Sequence, residues 1–340
     1  MQNPLPPATE SGGGPGPAED GVATVPSALG GEAPAEGAGT PGDGSVSGDG
    51  GSDARSGDPP PVTAHDLAGL MVEDLEVEQG DYLPRPTPRI LAVANQKGGV
   101  GKTTTAVNLG AALAELGYRV LVVDLDPQGN ATTGLGIDAR SFENSMYDVL
   151  MRDVALEDAV EPTSMKNLFV APATIDLAGA EIELVPSFSR ELKLRKALES
   201  VTGDFDFTLI DCPPSLGLIT VNGLAAADEV LVPIQCEYYA LEGLGQLLRN
   251  VHLVQSNLNE KLDVSTIVLT MYDARTKLAE QVADEVRTHF GNKVCKNVIP
   301  RTVRISEAPS FGQPITVFDP ASRGAIAYRE LAREVSGGEA

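Results

Sequence analysis

Gly98, Gly99, Gly101, Lys102 and Thr103 lie together in the run Gln96-Lys-Gly-Gly-Val-Gly-Lys-Thr-Thr-Thr105. These residue types suit a chain of phosphates. Glycine reaches backbone angles closed to other residues, so successive N–H groups can turn into one hollow. Lys102 can reach the β- and γ-phosphates, and Thr103 offers its hydroxyl to Mg²⁺. Val100 and Thr104 complete the loop. The usual first glycine is absent, because Gln96 stands five residues before Gly101. A second lysine, Lys97, takes the next place. Two readings of Lys97 stay open: a solvated loop lysine, or a donor to phosphate oxygens in its own site or across a symmetric interface. An additional cation has a use there, since phosphoryl transfer is accelerated by positioning and charge stabilisation.

Carboxylates occur at two further points. Asp211 closes the apolar run Phe205–Asp211 and precedes Cys212-Pro-Pro-Ser215. It can hold Mg²⁺ through the ion's water shell; a lone aspartate before proline is otherwise a cap or turn residue. Asp124 and Asp126 close Arg119-Val-Leu-Val-Val-Asp-Leu-Asp126. Alternation along a strand puts both on one side. One of them can orient the water that attacks a γ-phosphate, and the other can act nearer the metal. Pro127-Gln-Gly-Asn-Ala131 then turns in a way that could respond to a γ-phosphate.

The elements that must position these groups are strands and helices in alternation. Ile90–Ala94 reads as a buried strand, and Thr103–Leu116 as a helix by its apolar spacing. Further strands are expected at 119–126, Asn167–Ala171, 205–211, Glu229–Ile234, Val264–Thr270 and Lys293–Ile299, with helices such as Arg190–Val201 and Ala279–Phe290 between them. This pattern predicts an α/β, doubly wound, mainly parallel sheet with helices on both faces. Ligands then sit beyond the carboxyl ends of the strands, where the loop at 96–103, Asp124/Asp126 and Asp211 converge.

Composition sets the remaining bounds. Residues 1–90 hold 15 Asp/Glu against 3 Lys/Arg, a net of −12. The other 250 residues hold 33 against 22, a net of −11, so the whole-chain charge of −23 says little about the folded part. Residues 1–88 are read as a disordered, acidic, Gly/Pro-rich tail, 89–335 as the folded domain, and 336–340 as a short C-terminal tail. Within the first tail, Leu67, Leu70, Met71 and Leu75 fall on one helical face, as a partner-binding motif or a transient helix would. The cysteines, Cys212, Cys236 and Cys295, have no metal or disulfide spacing and suit a reducing cytoplasm. No apolar run reaches the ~18–20 residues of a membrane span.

The motifs Gln96–Thr105, Asp124-Leu-Asp-Pro-Gln-Gly-Asn-Ala-Thr132 and Leu209–Ser215 resemble those of the deviant Walker-A ATPases, which are P-loop NTPases. Pro233-Ile-Gln-Cys-Glu-Tyr-Tyr-Ala-Leu-Glu-Gly243 and Ile299–Gly312 are similar to the ParA/Soj-type chromosome-partitioning branch. The resemblance runs from about Arg89 to Val335. It implies a Mg²⁺-dependent ATPase with slow basal turnover, acting as a switch. ATP joins two subunits into a homodimer, and Lys97 reaches the nucleotide of the opposite subunit. It further implies that Lys102 and Asp126 serve hydrolysis, that Thr103, Asp126 and Asp211 support the metal, and that Pro300 and Arg301 lie near the adenine. The ATP-bound dimer would bind double-stranded DNA without sequence preference through Arg275 and Arg304. A ParB-type partner would stimulate hydrolysis and release it, in a cytoplasmic, nucleoid-associated cycle. On residues alone these arginines read equally as ordinary surface groups.

Three rivals fit less well. A membrane-cycling ATPase of the MinD kind needs a basic amphipathic C-terminal helix, whereas Arg329–Ala340 is of mixed charge with no bulky apolar face. An iron–sulfur reductase needs ligand cysteines that these three do not resemble. A non-enzymatic scaffold would not need Asp126.

Overall fold

The computed structural model describes residues 86–237 and 240–337. The described residues all fall in the second of two units, 59–340. The acidic tail up to residue 85, including the Leu67–Leu75 segment, lies outside them, as do 338–340.

β1 (Arg89–Val93) is buried along its whole length, as its apolar run requires. The glycine loop leads into α1 (Lys102–Glu115), then β2 (Val120–Asp124) and the single-turn α2 (Asn130–Gly134). Next come α3 (Met146–Arg152), the short β3 (Glu161–Pro162), β4 (Leu168–Ala171), α4 (Leu177–Glu183) and α5 (Lys193–Leu198). After β5 (Phe207–Asp211) follow α6 (Leu218–Ala226), β6 (Glu229–Gln235), α7 (Ala240–Asn257), β7 (Asp263–Thr270) and α8 (Lys277–Phe290). The chain closes with α9 (Val303–Glu307), α10 (Ile315–Phe318) and α11 (Arg323–Ser336).

The seven strands lie in the order β3-β4-β2-β5-β1-β6-β7. Every pairing is parallel except β3 with β4. Alternate residues of each strand supply two cores. Leu91, Val93, Val120, Val122, Phe207 and Leu209 pack under α1 and α11, while Ala92, Leu121, Val123, Ile210, Val230 and Val232 pack under α3 to α8. The expected doubly wound sheet is present. α1 lies close against it because residue 110 is glycine: a Cβ there would stand 3.1 Å from Val122 Cγ2.

Three expectations are corrected. Lys293–Ile299 is not a strand; it meets β7 at the isolated bridge Ile267↔Val294 and through Ile299 N to the Leu269 carbonyl at 2.8 Å, with Tyr272↔Pro300 just beyond, but forms no continuous ladder. Arg190–Val201 is a 3₁₀ turn (Arg190–Leu192) followed by the six-residue α5, not one helix. β2 ends at Asp124 and does not reach Asp126.

The amino-terminal ends of β1 and β6 are anchored by a buried ion pair. Arg89 and Glu229, 2 % and 1 % exposed, meet in a two-pronged fork with both N···O distances at 2.8 Å. Arg89 also donates to the Val335 carbonyl and lies over the Phe207 ring, tying β1, β6 and α11 together. Breaking such a pair from one side leaves an uncompensated buried charge. Glu229→Ala is therefore expected to cost about 3–5 kcal/mol in urea denaturation of the nucleotide-free protein, and the paired replacement Arg89→Met/Glu229→Leu markedly less.

Candidate active site

The carboxyl ends of β1, β2 and β5 meet. Asp124 and Asp211 are register partners across β2 and β5, and Val93 is the partner of Asp211 on the β1 side. The loop from Ala94 to Gly101 thus leaves the sheet beside both aspartates. Gly99 and Gly101 take φ of 75° and 89°, a region that disfavours side chains. Gly101 caps α1, whose first turn has neither a side-chain cap nor an acidic residue. The helix start therefore keeps unsatisfied N–H groups and partial positive charge for an anion. Gln96 is half-buried, Gly98 is exposed, and Val100 is buried beneath the loop.

Lys102 is only 7 % exposed, and its Nζ donates to the Lys97 carbonyl at 3.3 Å. Burial lowers its pKa, against the attraction of Asp211 and Asp126. Asp211 is wholly buried, and neither carboxylate oxygen has a hydrogen-bond partner. Burial, and next the charge of Asp124, raises its pKa well above the usual carboxylate range; the nearby Thr103 hydroxyl and Lys102 pull the other way. An unpartnered buried carboxylate is costly. A hydrated cation held between Asp211, the Thr103 hydroxyl and phosphate oxygens would satisfy it, so these residues fit Mg²⁺. Among the described residues no group of three or more His, Cys, Asp or Glu could hold a metal by itself.

Asp124 and Asp126 take different roles because the strand stops between them. Asp124 Oδ2 accepts from Thr132 N at 2.8 Å and Thr132 Oγ1 at 2.7 Å, and Oδ1 accepts from Asp126 N at 3.2 Å. It pins β2 to α2 and to the turn. Burial pushes its pKa up to about 6 against those hydrogen bonds. Asp126 is half-buried on the turn, accepts from Gln128 N at 3.0 Å, and lies near enough for its charge to act on Lys102 and Asp211.

Lys97 is not a freely solvated loop lysine. Its Nζ pairs with Glu237 Oε2 at 3.3 Å, with the side chains 31 % and 47 % exposed. Its N–H donates to Asn95 Oδ1, and Asn95 Nδ2 in turn donates to the Pro233 carbonyl at 2.8 Å.

Beside the helix start opens a cleft of about 390 Å³ lined by Gly101, Thr104, Thr270, Pro300, Arg301 and Tyr328, among others. Pro300 and Arg301 are thus next to the phosphate loop, held by the bridge to Tyr272 and by Arg301 N to the Tyr272 carbonyl at 3.1 Å. Thr270 Oγ1 donates to the Val100 carbonyl at 2.8 Å and fixes β7 to the loop. The two expected DNA arginines are exposed, and both are paired. Arg275 grips Asp273 with two nitrogens at 2.8 and 2.6 Å. Arg304 binds Asp319 at 2.8 Å and Glu307 at 3.0 Å and lies over Phe318. Sequence reasoning missed Asn95, Thr132, Thr270, Glu237 and Tyr328. Thr270 had a signal, as the last residue of an expected strand; Thr132 and Glu237 had only their places inside quoted motifs.

Comparison with known proteins sharpens the assignment. A model described as an AAA domain matches residues 88–264. Over 248 residues the chain is 59 % identical to the sporulation initiation inhibitor protein Soj of Bacillus subtilis, covering 73 % of this chain and 98 % of Soj. It is 55 % identical to the chromosome partitioning protein ParA of Caulobacter vibrioides, covering 73 % of this chain and 93 % of that protein. This chain belongs to the ParA/Soj family of chromosome-partitioning ATPases. A crystal structure of cobyrinic acid a,c-diamide synthase from Mycobacterium smegmatis, with bound ADP and magnesium, superposes with a TM-score of 0.64 at 46 % identity, covering 72 % of this chain and 93 % of that one. In this ParA/Soj-family chain the phosphate loop, the Asp126 turn and Asp211 occupy one edge of one sheet.

The cost of a buried, partnerless Asp211 gives a measurable consequence. Its folded-state pKa is raised, so the folded protein holds a proton that the unfolded chain releases, and the ionised form destabilises the fold at neutral pH. Asp211→Asn is expected to raise the melting temperature of nucleotide-free protein at pH 7.5, and the gain should shrink as the pH falls. The same substitution should abolish the extra stabilisation that Mg²⁺ adds to ATP over ATP with chelator, read by thermal scans.

Proposed function

We propose that this chain is an ATP-driven dimerising switch for partitioning a chromosome or plasmid, cycling on and off DNA. The observation that carries the reading is the buried Lys102 next to the partnerless Asp211, at the foot of an uncapped helix start. That arrangement suits a nucleotide with its cation better than any other ligand.

The roles assigned to the residues are these. N–H groups of Gly98 to Thr104 and the Lys102 ammonium hold the β- and γ-phosphates, while Thr103 and Asp211 hold the ion, with Asp126 nearby. Mg²⁺ bound there supplies charge neutralisation on the phosphate oxygens. Asp126 orients the attacking water, and Asp124 keeps the Asp126 turn in place through Thr132. The cleft at Pro300 and Arg301 receives the base. Lys97 reaches the nucleotide of the opposite subunit in a homodimer, which places part of the transition-state stabilisation in the dimer alone. Basal turnover is then slow until a ParB-type partner completes the arrangement.

Double-stranded DNA is met by the phosphate-seeking groups Arg275 and Arg304. Their present carboxylate partners are no obstacle, because exposed pairs contribute little and a phosphate backbone competes for the same cations. Doubling the patch by dimerisation is what would couple ATP to DNA affinity. A membrane role gains no support: α11 buries Ala325, Tyr328, Leu331, Ala332 and Val335 against the sheet, and among the described residues no helix is long and apolar enough to cross a membrane. The reading therefore places the protein in the cytoplasm, on the nucleoid, with 89–335 as the working domain.

Sizing by ultracentrifugation with Mg²⁺ and ATP tests the switch. The parent should pass from monomer toward dimer, Asp126→Ala should accumulate as a trapped dimer, and Lys97→Ala should stay monomeric. A nucleotide-loaded parent that remains monomeric at all concentrations overturns the proposal. For DNA, Arg275→Glu/Arg304→Glu is expected to dimerise normally yet lose on the order of tenfold or more in duplex affinity, with a shallower salt dependence. Unchanged mobility shifts would exclude this surface.

A further inference from the structure

Lys97 is held from three sides. Its N–H is bound to Asn95, which is itself buried and fastened to the end of β6. The first turn of α7 walls its stem: a Cβ on Gly243 would stand 3.9 Å from Lys97 Cβ and 3.8 Å from Asn95 Oδ1. The ammonium then meets Glu237, just beyond β6, at 3.3 Å. Glu237 is itself aimed, because its second oxygen accepts from Gln235 Nε2 at 2.5 Å and its N–H donates to the Gln235 carbonyl at 2.8 Å. Both carboxylate oxygens are thus occupied within one subunit.

We propose that Glu237 is a positioning residue that holds Lys97 back in the single subunit and must release it before two subunits can close on nucleotide. The proposal rests on the reading that Lys97 acts on the opposite subunit's phosphates. A phosphate chain carries more negative charge than one carboxylate, so the exchange favours the dimer once both sites are filled. With empty sites nothing replaces Glu237, and freeing Lys97 gains no contact. The pair is partly exposed and individually weak, which suits a contact that has to break in every cycle. Since each dimer breaks two such pairs, a small bias per subunit is squared in the association constant.

The test uses the full chain with Mg²⁺ and a slowly hydrolysed ATP analogue, following self-association by ultracentrifugation. Glu237→Gln removes the charge and keeps the Gln235 contact within reach; its dimerisation midpoint should fall roughly two- to tenfold below the parent's. Glu237→Asp should return toward the parent. The gap between parent and Glu237→Gln should narrow between low and high salt, as a partly exposed pair is screened. Because Lys97→Ala should not dimerise, a structural role is tested on the nucleotide-free protein: Glu237→Gln should leave its melting temperature nearly unchanged, whereas a purely structural role would lower it and weaken dimerisation. If the parent dimerises and Glu237→Gln leaves the midpoint unchanged or raises it, Glu237 does not restrain Lys97, and the dimer switch survives. If the parent fails to dimerise, the switch falls and this inference falls with it.

Discussion

The site depends on charge kept out of water. Lys102 and Asp211 sit at the carboxyl ends of the fully buried parallel strands β1, β2 and β5, where neither finds a full set of partners within the chain. A protein interior tolerates that only when something else completes it or when the folded state has stability in reserve. Here the incompleteness is directional: a buried lysine lies next to a carboxyl group with no hydrogen-bond partner, beneath the uncapped start of a helix. On the proposed function, the phosphate and the hydrated metal ion of a nucleotide would supply what each is missing.

That constraint explains the surrounding architecture. Parallel strands bring their carboxyl ends to one edge, so three separate loops can converge without long excursions. Apolar packing on both faces makes the edge rigid, and polar pins then adjust it. Asp124 with Thr132 fixes the Asp126 turn, Thr270 fixes the glycine loop to β7, and Asn95 fixes the start of that loop to β6. These pins touch no phosphate. They hold the groups that would do so.

The contrast between Lys102 and Lys97 illustrates how exposure divides labour. Lys102 is locked by burial and belongs to one subunit's own site. Lys97, two-thirds buried and paired with a still more exposed carboxylate, can exchange partners. Residues that must move between states are drawn from weakly held contacts of this sort. Arg275 and Arg304 share the property, each resting on carboxylates that solvent already weakens.

What the sequence by itself determined was the local and periodic part. The glycine loop, the apolar strands and the helix after the loop were legible because each is specified by neighbours within a few residues. Even the meeting of 96–103, Asp124 and Asp211 was readable, since alternation of strand and helix dictates a parallel sheet and hence a shared edge. Tertiary structure alone decided the rest. Lys293–Ile299 has strand-like composition, yet it meets the edge strand β7 only at separate points, Cys295 N to the Ile267 carbonyl and Ile299 N to the Leu269 carbonyl, and not as a continuous ladder. Asp124 and Asp126 look equivalent in sequence, and only the point where β2 loses its partner strand separates a buried pin from a half-buried carboxylate on the turn. Glu237 reaches Lys97 across 140 residues of chain. A contact of that separation leaves no local trace, because the energy that selects it is that of the whole packed sheet.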